Sequence, residues 1–430
     1  MVVAYLTSRF PDVSQTWMLR EMDAVMSDPD VDCELLTLFR PKKRMATVVH
    51  PAAKPWLPRL RRPGPVESLA AVAWWLHRSP GRLLASVAIV MGAYARRPML
   101  LVRALVTVAI STAHARWLAN REVDHLHAHT GTYPVVGAWL CHRLMGISYS
   151  FTPHGQDLYR DQSFLRQRLA AADFAVAISH FNRGFLAAYG GDRVTPVHLV
   201  RCGIDLSAYR FRPRAPEQTG PVRALCIGSL KDPKGHEFLF EALASGGPEL
   251  ERVRVDLAGD GPRREELKQL VHTLGLDDRV TFHGPLPEPA VIALLDRADM
   301  FVLQSVILPN GNTEGLPVVL MEALASGVPV VATRVTAIPE LIRDGETGLL
   351  AEPGSSSDLR RAIARVLADP AAARRRAVAG RALVEQNHDA RRSGALLARL
   401  FRGDTPFADD DLAAARAQVA PGARGAALAE

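Results

Sequence analysis

The sequence predicts an α/β protein with two parallel-sheet domains. Short apolar runs of strand length alternate with longer helical patterns along most of its 430 residues, and this alternation is typical of parallel sheets covered by helices on both faces. The alternation stops in a Pro- and Arg-rich stretch at 210–221 and then starts again. A chain of this length is too long for one ordinary core and fits two of about 200 residues each.

The candidate strands fall into two sets on either side of that stretch. The first set is 2–6, 123–129, 147–152, 174–178 and 197–200, and the second is 223–227, 253–258, 280–282, 300–303 and 328–332. In such sheets, ligands bind at the carboxyl ends of the strands. We therefore expect binding residues in the loops that follow these runs.

The domain boundaries follow from the same patterns. We expect an N-terminal domain over 1–210, a second domain over 221–385, and a C-terminal helix over 386–402, within a helical pattern that runs from 381 to 402. The tail 403–430 is acidic and then rich in Ala and Gly, a composition that predicts disorder. Its aspartates, Asp409 to Asp411, are interpreted as a solvated charge run rather than a metal site.

Charge and cysteine content narrow the partners and the compartment. Residues 1–215 carry 27 Lys/Arg and 15 Asp/Glu, net +12, whereas residues 216–430 carry 25 and 30, net −5. A basic half suits a nucleic acid, an anionic membrane or an anionic acceptor, but no nucleic-acid-binding motif accompanies it, so we expect no nucleic acid partner. The four scattered cysteines predict neither a metal site nor disulfides and favour a reducing, cytoplasmic location.

The region Val66–Asn120 is helix-rich, poor in Gly and rich in Trp. It has two interpretations. Apolar helices flanked by arginines, including Arg59, Arg61 and Arg62, are typical of proteins that bind peripherally to the inner face of a membrane. Buried helices of the first domain would show the same pattern. With no signal peptide and no run of about 20 apolar residues, we expect no spanning helix.

The stretch 309–333, PNGNTEGLPVVLMEALASGVPVVAT, contains the strongest candidate site. Glu314 and Glu322 stand eight residues apart, on either side of a predicted helix start with Pro317 at its first position. The free N–H groups of a helix start bind anions, and Gly315 allows close backbone approach. Two carboxylates flanking such a site can bind hydroxyls on both sides of a diphosphate. The alternative is a surface helix with two exposed glutamates.

This stretch resembles the donor-binding segment of retaining GT-B glycosyltransferases of family 4, and the likeness continues to Gly354. The resemblance implies that Glu314 contacts the transferred sugar and Glu322 the ribose, while backbone amides near Gly315, Leu316 and Pro317 contact the diphosphate. It also implies the GT-B fold, in which two Rossmann-like domains face each other across a cleft and a C-terminal helix crosses back to the first domain.

Two further matches extend the resemblance. The strand end before Ser229, with Lys234 after it, resembles the family's G-R-L-x-x-x-K-G motif, which implies that Lys234 binds the diphosphate. Ser229 stands where the family usually has arginine, so Lys231 or an arginine from elsewhere would supply that charge. His154, before Gly155, resembles the family's His-Gly motif, whose histidine meets the donor sugar or the acceptor.

The first loop points to a subgroup of the family. Residues 8–11, Ser-Arg-Phe-Pro, followed by Ser14, Gln15 and Thr16, resemble the members that build exopolysaccharides such as colanic acid. In that subgroup, polar groups of this loop would meet the acceptor.

The resemblance implies a retaining transfer of a sugar from a nucleotide-diphosphate sugar to a glycan or lipid-linked acceptor, with Glu314, His154 and Lys234 as the catalytic residues. We expect no cofactor and no obligatory metal ion, because no Asp-x-Asp motif lies near the site. Two alternatives stay open: a non-catalytic sugar- or lipid-binding protein of the same fold, and another nucleotide-sugar enzyme such as an epimerase.

Overall fold

The computed structural model describes residues 1–11, 16–41, 51–189, 195–216 and 219–404, apart from the side chain of Gln156. Ser14, Gln15 and Asp409 to Asp411 lie outside these residues. The chain divides into two compact units, one of residues 1–203 together with the segment from 390 onward, and one of residues 204–389.

The first unit is built on a seven-stranded parallel sheet. Its strands are β1 (Val2–Arg9), β2 (Asp32–Phe39), β3 (Leu60–Arg61), β4 (His125–His129), β5 (Ser148–Thr152), β6 (Phe174–Ala177) and β7 (Val197–Leu199). They lie in the order β3-β2-β1-β4-β5-β6-β7. The order reverses between β1 and β4, so loops after these two strands border the point where doubly wound sheets bind ligands.

Eight helices accompany this sheet before the chain leaves the unit. They are α1 (Thr16–Val25), α2 (Pro65–Arg78), α3 (Pro80–Tyr94), α4 (Pro98–Leu118), α5 (Tyr133–Met145), α6 (Gln156–Tyr159), α7 (Leu165–Ala171) and α8 (His180–Tyr189), with a short 3₁₀ helix at Pro51–Trp56. The main core lies under α4 and α5, where Leu126, Tyr149 and Trp139 are buried.

The second unit is built on a six-stranded parallel sheet. Its strands are β8 (Val222–Ile227), β9 (Val253–Ala258), β10 (Val280–Gly284), β11 (Met300–Leu303), β12 (Val330–Thr333) and β13 (Leu349–Ala351). Their order, β10-β9-β8-β11-β12-β13, reverses between β8 and β11. The predicted fold class, two doubly wound parallel sheets in one chain, is confirmed.

The helices of the second unit complete its layers. They are α9 (His236–Ala244), α10 (Pro248–Glu251), α11 (Arg264–Thr273), α12 (Glu288–Leu295), α13 (Val318–Ser326), α14 (Ile338–Leu341), α15 (Ser356–Ala368) and α16 (Pro370–Asn387), with 3₁₀ helices at Leu206–Ala208 and Asp232–Lys234. Alternating β and α elements explain the regular sequence pattern in this half.

The C-terminal helical pattern forms two helices, not one. The single pattern over 381–402 ends as α16 at Asn387, and α17 (Ala390–Phe401) begins three residues later. The break falls at His388, whose carbonyl accepts a bond from the N–H of Ile204. α17 then packs against α1 in the first unit, so closely that a Cβ at Gly394 would lie 2.3 Å from Cβ of Ala24.

The Pro- and Arg-rich stretch 210–221 belongs to the second unit. The N–H groups of Arg212 and Arg214 donate to the carbonyls of Ser326 and Gly327, at 3.2 and 2.9 Å. A Pro- and Arg-rich stretch at a break in the alternation is typical of a linker between domains. Here, however, hydrogen bonds hold its backbone against the end of α13. The approach is so close that a Cβ at Gly327 would lie 2.6 Å from the carbonyl oxygen of Arg212.

Among the described helices, α4 is the one long and apolar enough to cross a membrane by length and composition. Its later turns are nevertheless part of the core of the first unit. Ala104, Val108 and Ala115 are buried, and Nε2 of the buried His114 lies 3.0 Å from the carbonyl oxygen of Thr37. We therefore interpret α4 as a core helix.

Candidate active site

The candidate donor site lies where the sheet of the second unit reverses its strand order. β8 and β11 are neighbours there, and a loop follows the carboxyl end of each strand. Gly228 and Ser229 follow β8, and Gln304 and Ser305 follow β11. Because the two loops start side by side, residues that are far apart in sequence meet here.

The loop after β8 is supported by the turn after β9. The N–H of Gly228 donates to the carbonyl of Ala258, and the N–H of Leu230 donates to that of Asp260, at 3.0 and 3.1 Å. Gly259 has φ +146°, and a Cβ there would lie 1.9 Å from the oxygen of Gly228. This Gly-Asp-Gly turn, Gly259 to Gly261, therefore fixes the backbone that leads to Lys234.

Lys234 and Glu314 meet across the reversal point. Nζ of Lys234 lies 3.1 Å from Oε1 of Glu314, and the two side chains are 11% and 19% exposed. The amide of Gln304 donates to the carbonyl of Lys234 at 3.0 Å, which fixes the backbone at the lysine. Gly235 must be glycine here, because φ is +57° and a Cβ would lie 2.4 Å from the oxygen of Gln304.

The loop that carries Glu314 is held by Thr336. Its hydroxyl donates to the carbonyls of Glu314 and Gly315, at 2.7 and 2.9 Å. Thr336 itself has φ +42°, which is uncommon for a residue other than glycine. Sequence reasoning missed this residue, since a lone threonine between β12 and α14 carries no signal of such a contact.

The helix after this loop begins one residue later than predicted. α13 starts at Val318, and Pro317 is its N-cap, with extended backbone (ψ 120°). The carbonyl of Pro317 already accepts a bond from the N–H of Leu320 at 3.1 Å, as expected of an N-cap residue. Leu316 is buried and anchors the loop before it.

Glu322 lies inside a buried helix rather than on the surface. Glu322 is only 9% exposed, and its neighbours Leu320 and Ala323 are fully buried. A carboxylate is rarely buried without a partner or a function. The alternative of a surface helix with two exposed glutamates is therefore wrong for Glu322.

The charge missing at Ser229 has one close candidate. Ser229 is partly buried, and Lys231 two residues later is exposed. Within the described residues, the ammonium of Lys231 has no hydrogen bond or ion pair. Arg263, by contrast, is held by carboxylates, with Glu237 at 3.0 Å and Glu266 at 2.6 Å.

In the first unit, His154 belongs to a chain of buried polar groups. Nε2 of His129 donates to the carboxylate of Glu21 at 2.7 Å, and Nδ1 of His129 lies 3.3 Å from Nε2 of His154. On the other side, Nδ1 of His154 lies 3.9 Å from Sγ of Cys202. The ring of Trp17 covers His154, with centroids 3.9 Å apart. With one proton on each imidazole ring, every contact in this series of polar groups can be a hydrogen bond.

The loop around His154 is fixed by Asp157. Its carboxylate accepts the N–H of His154 at 3.0 Å, that of Gly155 at 2.7 Å, and that of Gly131. The amide of Asn182 donates to the carbonyl of His154 at 3.1 Å. Burial, followed by the neighbouring His129, lowers the pKa of His154 to about 4. The ring is therefore neutral at pH 7.

One group of described residues combines side-chain types that bind metals: Glu21, His127 and His129. Hydrogen bonds account for its arrangement. Nδ1 and Nε2 of His127 lie 2.7 and 3.0 Å from the hydroxyls of Ser150 and Thr152. Since His129 uses both of its nitrogens in the chain described above, all four ring nitrogens have partners. The expectation that no metal is required stays a prediction.

Part of the first loop is described. Phe10, in the Ser8–Pro11 segment, is buried in a second core with Tyr5 and Met18. The guanidinium of Arg9 lies over the ring of Phe39 and donates to the carbonyl of Arg40. Phe10 and Arg9 make contacts within the unit. Any contact of this loop with an acceptor would therefore be made by its other, polar residues.

Two family models match adjacent parts of the chain. The model described as Glycosyltransferase Family 4 matches residues 70–208, and the model described as Glycosyl transferases group 1 matches residues 209–382. Together they extend without a gap from α2 to α16.

Individual proteins agree with these matches. WcaL of Escherichia coli, assigned to colanic acid biosynthesis as a glycosyltransferase, is 33% identical over 214 residues, half of each chain. A GDP-mannose-dependent alpha-(1-6)-phosphatidylinositol monomannoside mannosyltransferase of Mycolicibacterium smegmatis is 34% identical over 245 residues, 54% of this chain and 63% of that one. The chain thus spans between half and two thirds of the length of these relatives.

A solved structure shows the same fold over nearly the whole chain. Anabaena Alr3699/HepE in complex with UDP-glucose superposes with a TM-score of 0.69 at 19% identity, covering 94% of this chain and all of that one. At this identity, the likeness concerns the fold alone.

Proposed function

Because the chain belongs to the group 1 glycosyltransferases of the GT-B, family 4 type, we propose that it transfers a sugar from a nucleotide-diphosphate sugar to a glycan or lipid-linked acceptor. Transfer would retain the anomeric configuration and would serve exopolysaccharide or cell-envelope polysaccharide synthesis. The observation that supports this most is the 3.1 Å contact between Lys234 and Glu314. It joins the lysine expected at the diphosphate to the carboxylate expected at the sugar.

Donor binding would exchange the partners of this ion pair. The diphosphate competes with Glu314 for the ammonium of Lys234, because phosphate oxygens carry more charge than one carboxylate. Once released, the oxygens of Glu314 can accept hydrogen bonds from sugar hydroxyls. The first N–H groups of α13 have no partner inside the helix and would bind the same diphosphate. Glu322, one turn further on, would accept from the ribose.

The chemical step follows from these positions. The bond between the sugar C1 and the diphosphate oxygen breaks, and its electron pair stays on that oxygen. Lys234 and the start of α13 stabilise this growing charge. The acceptor oxygen bonds C1 from the same face, and its proton passes to the departing diphosphate, so configuration is retained. Catalysis then comes from positioning and electrostatics, without a covalent enzyme intermediate.

His154 would contribute a fixed contact rather than a proton. Both ring nitrogens face protein groups, at 3.3 Å from His129 and 3.9 Å from Cys202. Its pKa of about 4, lowered by burial, also keeps the ring uncharged at pH 7. We propose that it presents a neutral, rigid edge to the donor sugar or acceptor.

The test starts with the donor. Thermal unfolding is measured with UDP, GDP and ADP and with their sugars, because a specific ligand stabilises the native state. The panel includes UDP-glucose and GDP-mannose, which the names of a structural neighbour and of a relative specify. The best donor is then incubated with glycan and lipid-linked acceptors.

Acceptor-dependent release of nucleoside diphosphate, with an NMR spectrum of the product showing the donor's anomeric configuration, is the expected result. Isomerised nucleotide sugar without release of nucleoside diphosphate would show an epimerase instead. An inverted product would contradict retention, and donor binding without turnover on any acceptor would favour a non-catalytic binding protein.

A further inference from the structure

Three consecutive helices of the first unit expose much of the apolar surface of the described residues. Among all the described residues, 13 large apolar side chains are exposed, and nine of these lie on α2, α3 and α4. A helix on the surface of a globular protein normally presents polar residues to water. The outer faces of these helices depart from that rule together.

On α2, the exposed residues Val66, Leu69 and Leu76 follow a helical spacing. Val66 is 80% exposed and Leu69 is 68% exposed, while Ala71 and Trp75 on the opposite side are buried. The helix therefore has one apolar face in the core and a second apolar face in solvent.

On α3, both faces are apolar. Leu83, Val90 and Tyr94 are buried, whereas Leu84 and Met91 are exposed. Its sequence, PGRLLASVAIVMGAY, carries a single charged residue, which is an arginine in the first turn. The outer face of α3 therefore exposes a long uncharged apolar stripe to solvent.

On α4, the exposed large apolar side chains are confined to the first turns. Met99, Val102 and Val106 are 71%, 61% and 46% exposed, and from Thr107 onward most side chains are buried. The exposed apolar part of α4 is thus its start, which follows α3 directly in the chain, while the later turns belong to the core. Because α2, α3 and α4 pack against one another, their exposed apolar side chains lie in the same part of the unit.

The charged residues of the same region are nearly all positive. Residues 65–118 carry six arginines and one acidic residue, Glu67. Glu67 is already paired with Arg61. Arg78 and Arg96 are both exposed, at the end of α2 and between α3 and α4. Apolar stripes with arginines at their ends match the interface of an anionic bilayer, where acyl chains lie beneath negative headgroups.

We propose that α2, α3 and α4 form a docking surface for an anionic membrane, on which the protein lies without crossing it. Spanning by α4 is ruled out by the burial of its later turns, where His114 contacts the carbonyl of Thr37. A second copy of the same surface is a poor occupant, because it would bring the exposed Arg78 and Arg96 against the same two arginines of the partner, while Glu67 is already paired with Arg61.

The arginines first considered as lipid contacts are not part of this surface. Arg59 pairs with Asp32, and Arg61 pairs with Glu67. Arg62 donates to the carbonyl of Phe10 at 2.8 Å. These three side chains serve contacts inside the unit, so replacing them would not report on membrane binding alone.

Co-sedimentation of the whole protein with vesicles tests the proposal. It is independent of the transferase proposal, because no donor or acceptor is added. Vesicles of phosphatidylcholine alone are compared with vesicles that also contain phosphatidylglycerol, at low and high salt. We expect at least tenfold tighter binding to the anionic vesicles, and weaker binding at high salt because the Debye length shortens from about 10 Å at 0.1 M to about 3 Å at 1 M.

Two variants and a control separate the contributions. The triple variant Leu69→Gln, Leu84→Gln, Val102→Gln should lose at least tenfold in binding, and Arg78→Gln with Arg96→Gln should lose the preference for anionic vesicles. Val378→Gln, at a 46% exposed position of the second unit, should bind like the wild type. Unchanged melting temperatures show that the variants are folded.

Equal binding by the triple variant and the wild type would overturn the proposal. So would equal binding to both kinds of vesicle, or no binding at low salt. A wild-type dimer that the triple variant converts to a monomer would instead assign this surface to a second copy of the chain.

Discussion

The two units assemble their candidate sites in different ways. In the second unit, a few short motifs after neighbouring strands bring together groups of opposite charge, Lys234 and Glu314. In the first unit, a chain of neutral or hydrogen-bonded groups connects residues from four separate segments: Glu21, His129, His154 and Cys202. The arrangement in the second unit is suited to binding a charged ligand, whereas the arrangement in the first unit fixes the imidazole ring of His154. Changes in charge should therefore be far more damaging in the second unit.

The largest effect is expected for Lys234→Ala. In the proposed mechanism, it removes the ammonium from the position where the leaving diphosphate would gain charge, and loss of one such stabilising group costs about 100- to 1,000-fold in kcat. Lys268→Ala, at an exposed position of α11 in the same unit, serves as the control, and Lys231→Ala is measured alongside because Lys231 is the candidate for the charge missing at Ser229. Steady-state kinetics with the best donor check the prediction. A smaller loss for Lys234→Ala than for Lys231→Ala would move the diphosphate to the other lysine.

The two glutamates should separate turnover from binding. Glu314→Ala is expected to lower kcat by about 100-fold, because contacts to the sugar change as its bond breaks. Glu322→Ala is expected to raise KM for the donor by about tenfold with little change in kcat, because a ribose contact is the same in ground and transition states. Wild-type activity in both variants would remove the donor site from α13.

A moderate effect is expected for Glu21→Gln. The amide keeps the shape but removes the charge that fixes the proton on Nε2 of His129, so His154 loses a defined partner. We expect about a tenfold loss in kcat/KM and a changed dependence of kcat on pH. Asp23→Asn is the matched control, since Asp23 lies on the same helix but accepts from Trp56 at 2.8 Å. Identical pH profiles for Glu21→Gln and the wild type would leave Glu21 with a structural role only.

Acid should destabilise the first unit before the second. Burial lowers the pKa of His114, His125 and His154 to about 4 in the first unit, and that of His236 in the second. Folded, these rings stay neutral, whereas in the unfolded chain they take up protons below about pH 6.5. Their contribution is complete above that pH and is lost as pH falls from 6.5 toward 4, at roughly 1.4 kcal/mol per pH unit for each ring.

The measurement can tell the units apart. The sequence has six tryptophans, and all of them precede residue 204, so tryptophan fluorescence follows the first unit while hydrogen exchange follows the second. Between pH 7 and 5, the fluorescence transition should move to lower temperature more than the loss of protection in the second unit. Parallel shifts in both units would contradict the prediction.

No effect is expected from a chelator. In the proposed mechanism, the ammonium of Lys234 and the N–H groups at the start of α13 would supply the positive charge that a divalent ion would otherwise bring to the diphosphate. Activity should therefore be the same with and without EDTA. A loss that Mg²⁺ or Mn²⁺ restores would mean that the diphosphate is bound through a metal ion.

Much of the fold could be predicted, because it depends on local patterns. All ten predicted strand segments overlap strands of the structure, and the missed strands have clear reasons. β2 (DCELLTLF) opens with alternating acidic residues, β3 has two residues and β13 has three. The runs of β3 and β13 are too short to stand out from loops, whereas in β2 two acidic residues interrupt a run that otherwise contains five apolar residues.

The candidate sites were predictable to different degrees. The family motifs marked Lys234 and Glu314, and the structure places the two side chains together. Nothing local marks Glu21 or Thr336, because their importance arises only when strands and helices from distant segments come into contact. Pairs of this kind are set by tertiary structure, and one sequence does not reveal them.

The packing of α17 against α1 has a consequence for synthesis on the ribosome. The first unit needs both ends of the chain, since Leu397 and Phe401 of α17 share a buried core with Val3 and Tyr5. The second unit, 204–389, is continuous. During translation, the second unit can therefore complete its sheet first, while the earliest strand of the protein waits for the last helix to cover it.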